Sequence, residues 1–154
     1  MAFSVFISYS TKDLVHAAAL QSWVASAGAQ TYLAEYSLAP GRPIAAEILT
    51  AIKASDLFLL LWSANARDSE WVPQEIGVAR GAEKAIIPIV LHQGLELPGF
   101  IKDLKYVEVY RDPMASVQWL RNHVGALVRK KNSDALIGMG VIGAILLLLA
   151  NARE

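Results

Sequence analysis

Glu75 and Trp71 are the residues of this sequence whose types and spacing could do chemistry together. They lie in S-E-W-V-P-Q-E-I-G, residues 69–77. Being four apart, they would sit one above the other on the same face of a helix. An aromatic plate beside a carboxylate suits gripping a ring or a sugar. The segment follows an apolar run at 56–62, D-L-F-L-L-L-W, and a polar connector at 63–68. The order is buried strand, loop, helix start, and open α/β sheets place their ligands at such loops. An ordinary amphipathic helix start would carry the same residues, with Ser69 as N-cap and Glu75 as a first-turn carboxylate favoured by the helix dipole.

The rest of the composition narrows the chemistry. There are no cysteines, which removes disulfides, thiolate zinc sites and thiol nucleophiles together. The three histidines, His16, His92 and His123, show no metal-ligand spacing, so neither a metal nor a cofactor is expected. Fourteen basic and 14 acidic residues give a formal net charge of zero, so the basic footprint of a nucleic-acid binder is missing. No nucleophile-elbow pattern supports a Ser-His-Asp site. No G-x-G-x-x-G follows a strand, so a Rossmann-type redox use of a dinucleotide is not expected. At 154 residues the chain supports one domain with its own core. Met1-Ala2 runs directly into a strand-like segment, without the pattern of a signal peptide.

The elements that must position Glu75 follow from periodicity. Residues 3–9, F-S-V-F-I-S-Y, read as a buried strand. Ser10 is a good N-cap with Asp13 as its capping-box partner. The next helix carries Leu20, Trp23, Val24 and Ala27 on one stripe and stops at Gly28. Residues 30–33 read as a second strand and 34–42 as a loop turning at Pro40-Gly41. Pro43 suits a helix start, with Ile44, Ile48, Leu49 and Ile52 inward. Residues 56–62 form the most apolar strand, expected at the centre, with Asp56 in a structural turn role. The helix from Ser69 directs Val72, Ile76 and Ala79 inward and holds Pro73 in its first turn. Residues 85–91 form a fourth strand, where Pro88 predicts a bulge or a partly unpaired side. A loop with one helical turn spans 94–103, and 106–110 alternate as an edge strand. A last amphipathic helix at 113–131 turns Val117, Leu120, Val124 and Leu127 inward. Five strands separated by helices imply a parallel sheet covered on both faces.

The hydrophobic fraction, 55%, exceeds the usual ~45–50% because of the C-terminus. Taking 1–131 as the domain and 132–134 as a linker, residues 135–152 form a hydrophobic helix. Residues 135–150 carry not one polar side chain. Their helical length of ~24 Å falls short of a ~30 Å hydrocarbon core. Asn151-Ala152 and snorkelling Lys131 and Arg153 bring it close. The basic triplet 129–131 would hold the domain on the cytoplasmic side. A helix buried in an oligomer or against its own domain would ordinarily show a polar stripe, and none is present. Gly140 and Ala144 form one small-xxx-small pair.

Three segments together resemble a TIR (Toll/interleukin-1 receptor) domain of the compact bacterial and archaeal type. They are V-F-I-S-Y-S-T-K-D at 5–13, L-A-P-G-R at 38–42 and S-E-W-V-P-Q-E-I-G-V-A at 69–79. The resemblance spans about residues 3–130 and implies a flavodoxin-like five-stranded parallel sheet of order 2-1-3-4-5 with helices on both faces. Some TIR domains are scaffolds that recruit other TIR domains through the loop after the second strand. Others hydrolyse or cyclise NAD with a glutamate at the start of the third helix, which here is Glu75. The resemblance places Phe6, Ser8, Tyr9 and Ser10 at the cleft wall, with Ser69 and Trp71 beside the glutamate. It makes 35–42 the lid or the oligomer contact, with Glu35, Tyr36 and Arg42 toward substrate and Leu38, Pro40 and Gly41 toward a neighbouring protomer. NAD would be substrate, not cofactor. Self-association and a membrane would be the other partners, in a setting of microbial antiphage or stress signalling. A more remote expectation is another N-glycosidic enzyme on a related sheet, of the nucleoside deoxyribosyltransferase kind.

Overall fold

The computed structural model describes residues 2–34 and 46–151. Strand β1 spans Ser4–Ser8, β2 Gln30–Leu33, β3 Leu57–Trp62, β4 Ala85–Val90 and β5 Val107–Glu108. They form one sheet of order β2-β1-β3-β4-β5, parallel throughout. Helices α1 (Leu14–Ser26), α2 (Ala46–Ala54), α3 (Ala64–Arg67), α4 (Val72–Gly81) and α5 (Pro113–Asn151) make the crossovers and the tail.

β3 is central because every one of its side chains is apolar, and all six residues are buried. Alternate residues point to opposite faces of a strand. Phe58, Leu60 and Trp62 join the core under α2 and α4 with Phe6, Ile52, Val72 and Ile76. Leu57, Leu59 and Leu61 join the core under α1 and α5 with Val5, Ile7, Leu20 and Val124. Phe6 lies stacked between Tyr32 and Phe58, at 5.4 Å to each ring. Each fully buried side chain of this size contributes about 1.5–3 kcal/mol. Truncating Leu59 to Ala would therefore cost ~2–5 kcal/mol, cavity included.

Several local expectations are revised. The connector at 63–68 contains α3, because Ser63 accepts the Ala66 amide and caps a short helix. Asp13 does not serve as a capping-box partner for Ser10; it turns to Ser63 and Asn65. Ser10 caps a 3₁₀ turn, Thr11–Asp13, by accepting from the Lys12 amide. Pro88 makes no bulge: β3 and β4 pair in unbroken register through Leu60↔Pro88. β5 pairs only with Ile89 and Val90, which leaves the Pro88 side of β4 free of a ladder there. The segment 132–134, expected as a linker, is helical, and α5 runs unbroken from Pro113 to Asn151.

Helix α5 has two unlike halves. Leu120, Val124 and Val128 are buried on the sheet, whereas Leu136 through Leu149 expose every large side chain by half or more. The span is long and apolar enough to cross a membrane by length and composition. Lys131 marks the change. Its ammonium donates to Asp56 Oδ2 at 2.7 Å and to the Ala2 carbonyl at 3.1 Å, at the starts of β3 and β1. The helix therefore runs antiparallel to the strands and leaves the domain at their amino-terminal edge.

Candidate active site at the carboxyl edge of the sheet

The sheet reverses its winding between β1 and β3, and the crevice beyond their carboxyl ends is where open α/β sheets bind ligands. Ser8 closes β1 and shares the α4 side of the sheet with Phe6, two residues back. Glu75 lies in the first turn of α4. Ser8 Oγ donates to Glu75 Oε1 at 3.0 Å, and both residues are wholly buried.

Local sequence explains this placement. Ser69, expected as the N-cap, lies in the turn before α4, where its Oγ accepts the amides of Trp71 and Val72 at 3.2 and 3.4 Å; Trp71 holds the N-cap position. Pro73 occupies the first turn, where a missing amide is harmless. The Glu75 amide donates to the Trp71 carbonyl at 3.0 Å, one helical turn apart. Trp71 is half-buried against the core under α2 and α4. Val72, Ile76 and Ala79 seat the helix in that core, and their spacing carries Glu75 inward with them.

A second hydroxyl–carboxylate pair joins the segments that follow β1 and β3. Ser63 Oγ donates to Asp13 Oδ2 at 2.5 Å, and Asn65 Nδ2 donates to Asp13 Oδ1 at 2.9 Å. Asp13 and Ser63 are buried, which costs little only because the carboxylate is hydrogen-bonded. This pair ties the loop after β1 to the loop after β3. Sequence reasoning missed Ser63 and Asn65. A serine three residues before Ala66, directly after the apolar run, is an N-cap pattern that could have flagged them.

The expected site residues divide into three groups. Ser8, Glu75, Ser69 and Trp71 come together around the start of α4. Phe6 is wholly buried in the core under α2 and α4, and Tyr9 is buried in the cluster under α1 and α5. Ser10 is buried and spent on its capping bond. Glu35, Tyr36, Leu38, Pro40, Gly41 and Arg42 fall outside the described residues. An apolar groove of about 280 Å³ lies on the α1 side, lined by His16, Trp23, His92 and Tyr110 among others. It touches none of the candidate residues, and its lining offers no carboxylate.

The fold and the strand order are those of a TIR domain. A profile of the TIR domain matches residues 5–121, and the chain belongs to that family. Among solved structures, it is similar to the TIR domain of the Toll-related receptor TRR-2 from Hydra magnipapillata. That match has 22% identity, 74% of this chain and 97% of the other covered, and a TM-score of 0.56. A metazoan TIR-STING receptor from C. gigas matches at 25% identity over 73% of this chain and 39% of its own, with a TM-score of 0.55. The Clostridium botulinum CMP N-glycosidase BcmB matches at 20% identity over 76% and 97%, with a TM-score of 0.57. No curated protein matches the chain significantly.

Proposed function

We propose that this TIR domain cleaves the nicotinamide–ribose bond of NAD with Glu75, and that the apolar end of α5 anchors it in a membrane. The observation that carries the enzymatic reading is the buried Ser8–Glu75 pair at the crevice, one turn beyond Trp71.

The bond between the ribose C1′ and the nicotinamide nitrogen breaks heterolytically, and its electron pair goes to the ring. Nicotinamide begins as a cation and leaves neutral, so the step needs no strong general acid. The positive charge moves to an oxocarbenium-like ribose. A fixed carboxylate in a water-poor site stabilises that charge more than bulk water would. The Ser8 hydroxyl orients the carboxylate by donating to one oxygen. Trp71, half-buried one turn before the glutamate, would stack a ring of the dinucleotide. Water then captures the ribose to give ADP-ribose, or a nitrogen of the same adenine captures it to give a cyclic isomer.

Glu75 has no exposed surface in the single chain. Substrate therefore reaches it only after neighbouring segments part, which fits activation by self-assembly. An anchored helix would promote assembly by concentrating domains in one plane.

A second reading has its own support: the Clostridium botulinum relative is a CMP N-glycosidase on the same fold. A nucleotide in place of NAD would meet the same carboxylate. One experiment separates these readings from a scaffold that recruits TIR domains through 35–42. Purified protein, with and without detergent or vesicles, is offered NAD and CMP, and the products are resolved by chromatography beside Glu75→Gln. Nicotinamide release that disappears in the variant supports NAD cleavage, and cytosine release supports the nucleotide reading. No turnover in any assembly state leaves the scaffold.

A further inference from the structure

We propose that the amino-terminal edge of the sheet is a lipid-headgroup contact surface, holding the Glu75 edge toward the aqueous phase. This inference rests on the anchor reading of α5. It starts from two facts that the apolar tail alone does not provide. The helix is unbroken between its docked half and its bare half. In addition, Lys131 pins its last docked turn to Ala2 and Asp56 on that edge.

Only residues 132–134 separate Lys131 from the apolar run, a rise of ~4.5 Å along the axis. The polar layer on each side of the hydrocarbon core is ~5–8 Å deep. An edge pinned at Lys131 therefore lies within that layer. The strands rise from it by ~17–20 Å, which carries Ser8 and Glu75 clear of the lipid.

The charges of the two edges suit this orientation. At the amino-terminal edge, Lys131 engages Asp56, and Arg80 engages Asp103. Lys53 in the last turn of α2, Lys84 just before β4, Arg129 and Lys130 then stand against Glu83 and Asp134. At the carboxyl edge, Glu47, Asp68, Glu70, Glu108 and Asp112 stand with Lys12, Arg67 and Arg111, of which Arg67 pairs with Asp68 and Arg111 with Glu108. Basic residues at helix ends also satisfy the helix dipole, so charge alone would not assign a partner. The apolar helix leaving from the same edge commits it to a bilayer with anionic headgroups.

The cysteine-free chain allows single labels. A donor fluorophore is placed at Ser26→Cys, exposed at the end of α1 on the lipid-facing edge, or at Glu70→Cys, exposed on the far edge. The full-length protein is reconstituted into vesicles of phosphatidylcholine and phosphatidylglycerol carrying a headgroup acceptor. Energy transfer from position 26 should exceed that from position 70 several-fold, and Lys53→Glu with Lys84→Glu should reduce it. Each basic charge is worth about a five-fold preference for an anionic surface. Equal transfer from the two positions, or transfer unaltered by the charge reversals, overturns the headgroup contact while flotation with vesicles still upholds the anchor. Failure to float with vesicles of any composition overturns the anchor and this inference together.

Discussion

The two edges of this sheet are built from the same strands yet use carboxylates in opposite ways. At the carboxyl edge, Glu75 and Asp13 are buried; Glu75 accepts from the Ser8 hydroxyl, and Asp13 accepts from the Ser63 hydroxyl and the Asn65 amide. At the amino edge, Asp56 is partly exposed and meets the Lys131 ammonium and the Ser4 amide. The difference separates carboxylates shut away from water from one that a partly exposed ion pair closes.

The largest expected effects come from breaking one edge at a time. Glu75→Gln keeps an acceptor for Ser8 but removes the charge. It should lower nicotinamide release by about 10²–10³-fold while vesicle flotation and thermal stability stay near the parent. Ending the chain after Lys131 should do the reverse for attachment: flotation is lost, and the melting temperature hardly changes. The side chains of 135–150 bury nothing on the domain, so their loss leaves both cores intact. A truncated protein that melts much earlier would show that the tail docks on its own domain. A Gln variant with parental turnover would remove Glu75 from the chemistry.

An intermediate effect is expected at Ser63. Its hydroxyl donates to Asp13 and accepts from the Ala66 amide, and the residue has no exposed surface. Ser63→Ala leaves a buried carboxylate short of one donor and a helix start uncapped. Together these cost ~2–3 kcal/mol, read as a lowered urea midpoint at unchanged slope. Asn65→Ala removes the exposed partner of the same carboxylate and should cost less. Equal losses would mean that Asp13 draws no special support from Ser63.

How legible these edges were in the sequence depended on the period of the pattern. β3 could be read as central because six consecutive apolar residues admit burial on both faces and nothing else. The inward seat of α4 was legible from Val72, Ile76 and Ala79, and the order of the strands came from the family resemblance. Tertiary partners were not legible. Asp13 has the right spacing for a capping box with Ser10, and only the approach of the loop after β3 redirects it to Ser63. Tyr9 and Ser8 are neighbours in sequence, but strand alternation sends them to opposite faces, and Ser8 donates to Glu75. The polar triplet 132–134 reads as a break, yet a polar residue does not end a helix that lacks Gly or Pro there.

The smallest expected effect tests the attachment edge through pH. Burial pushes the Asp56 carboxyl up, but the Lys131 ammonium and the Ser4 amide and hydroxyl outweigh it and hold the group below its ordinary value of 3.8. A carboxyl depressed on folding contributes stability above its unfolded pKa and loses it as pH falls through the folded one. The difference in unfolding free energy between the parent and Asp56→Asn should therefore be constant from neutral pH to about 4 and shrink below it. Both side chains of the ion pair retain 28% of their surface, so solvent screening keeps the difference at ~1 kcal/mol or less. It should also diminish in high salt. A difference that grows as the solution is acidified would mean that Lys131 is held to the edge by the Ala2 carbonyl and helix packing, with Asp56 contributing no favourable charge.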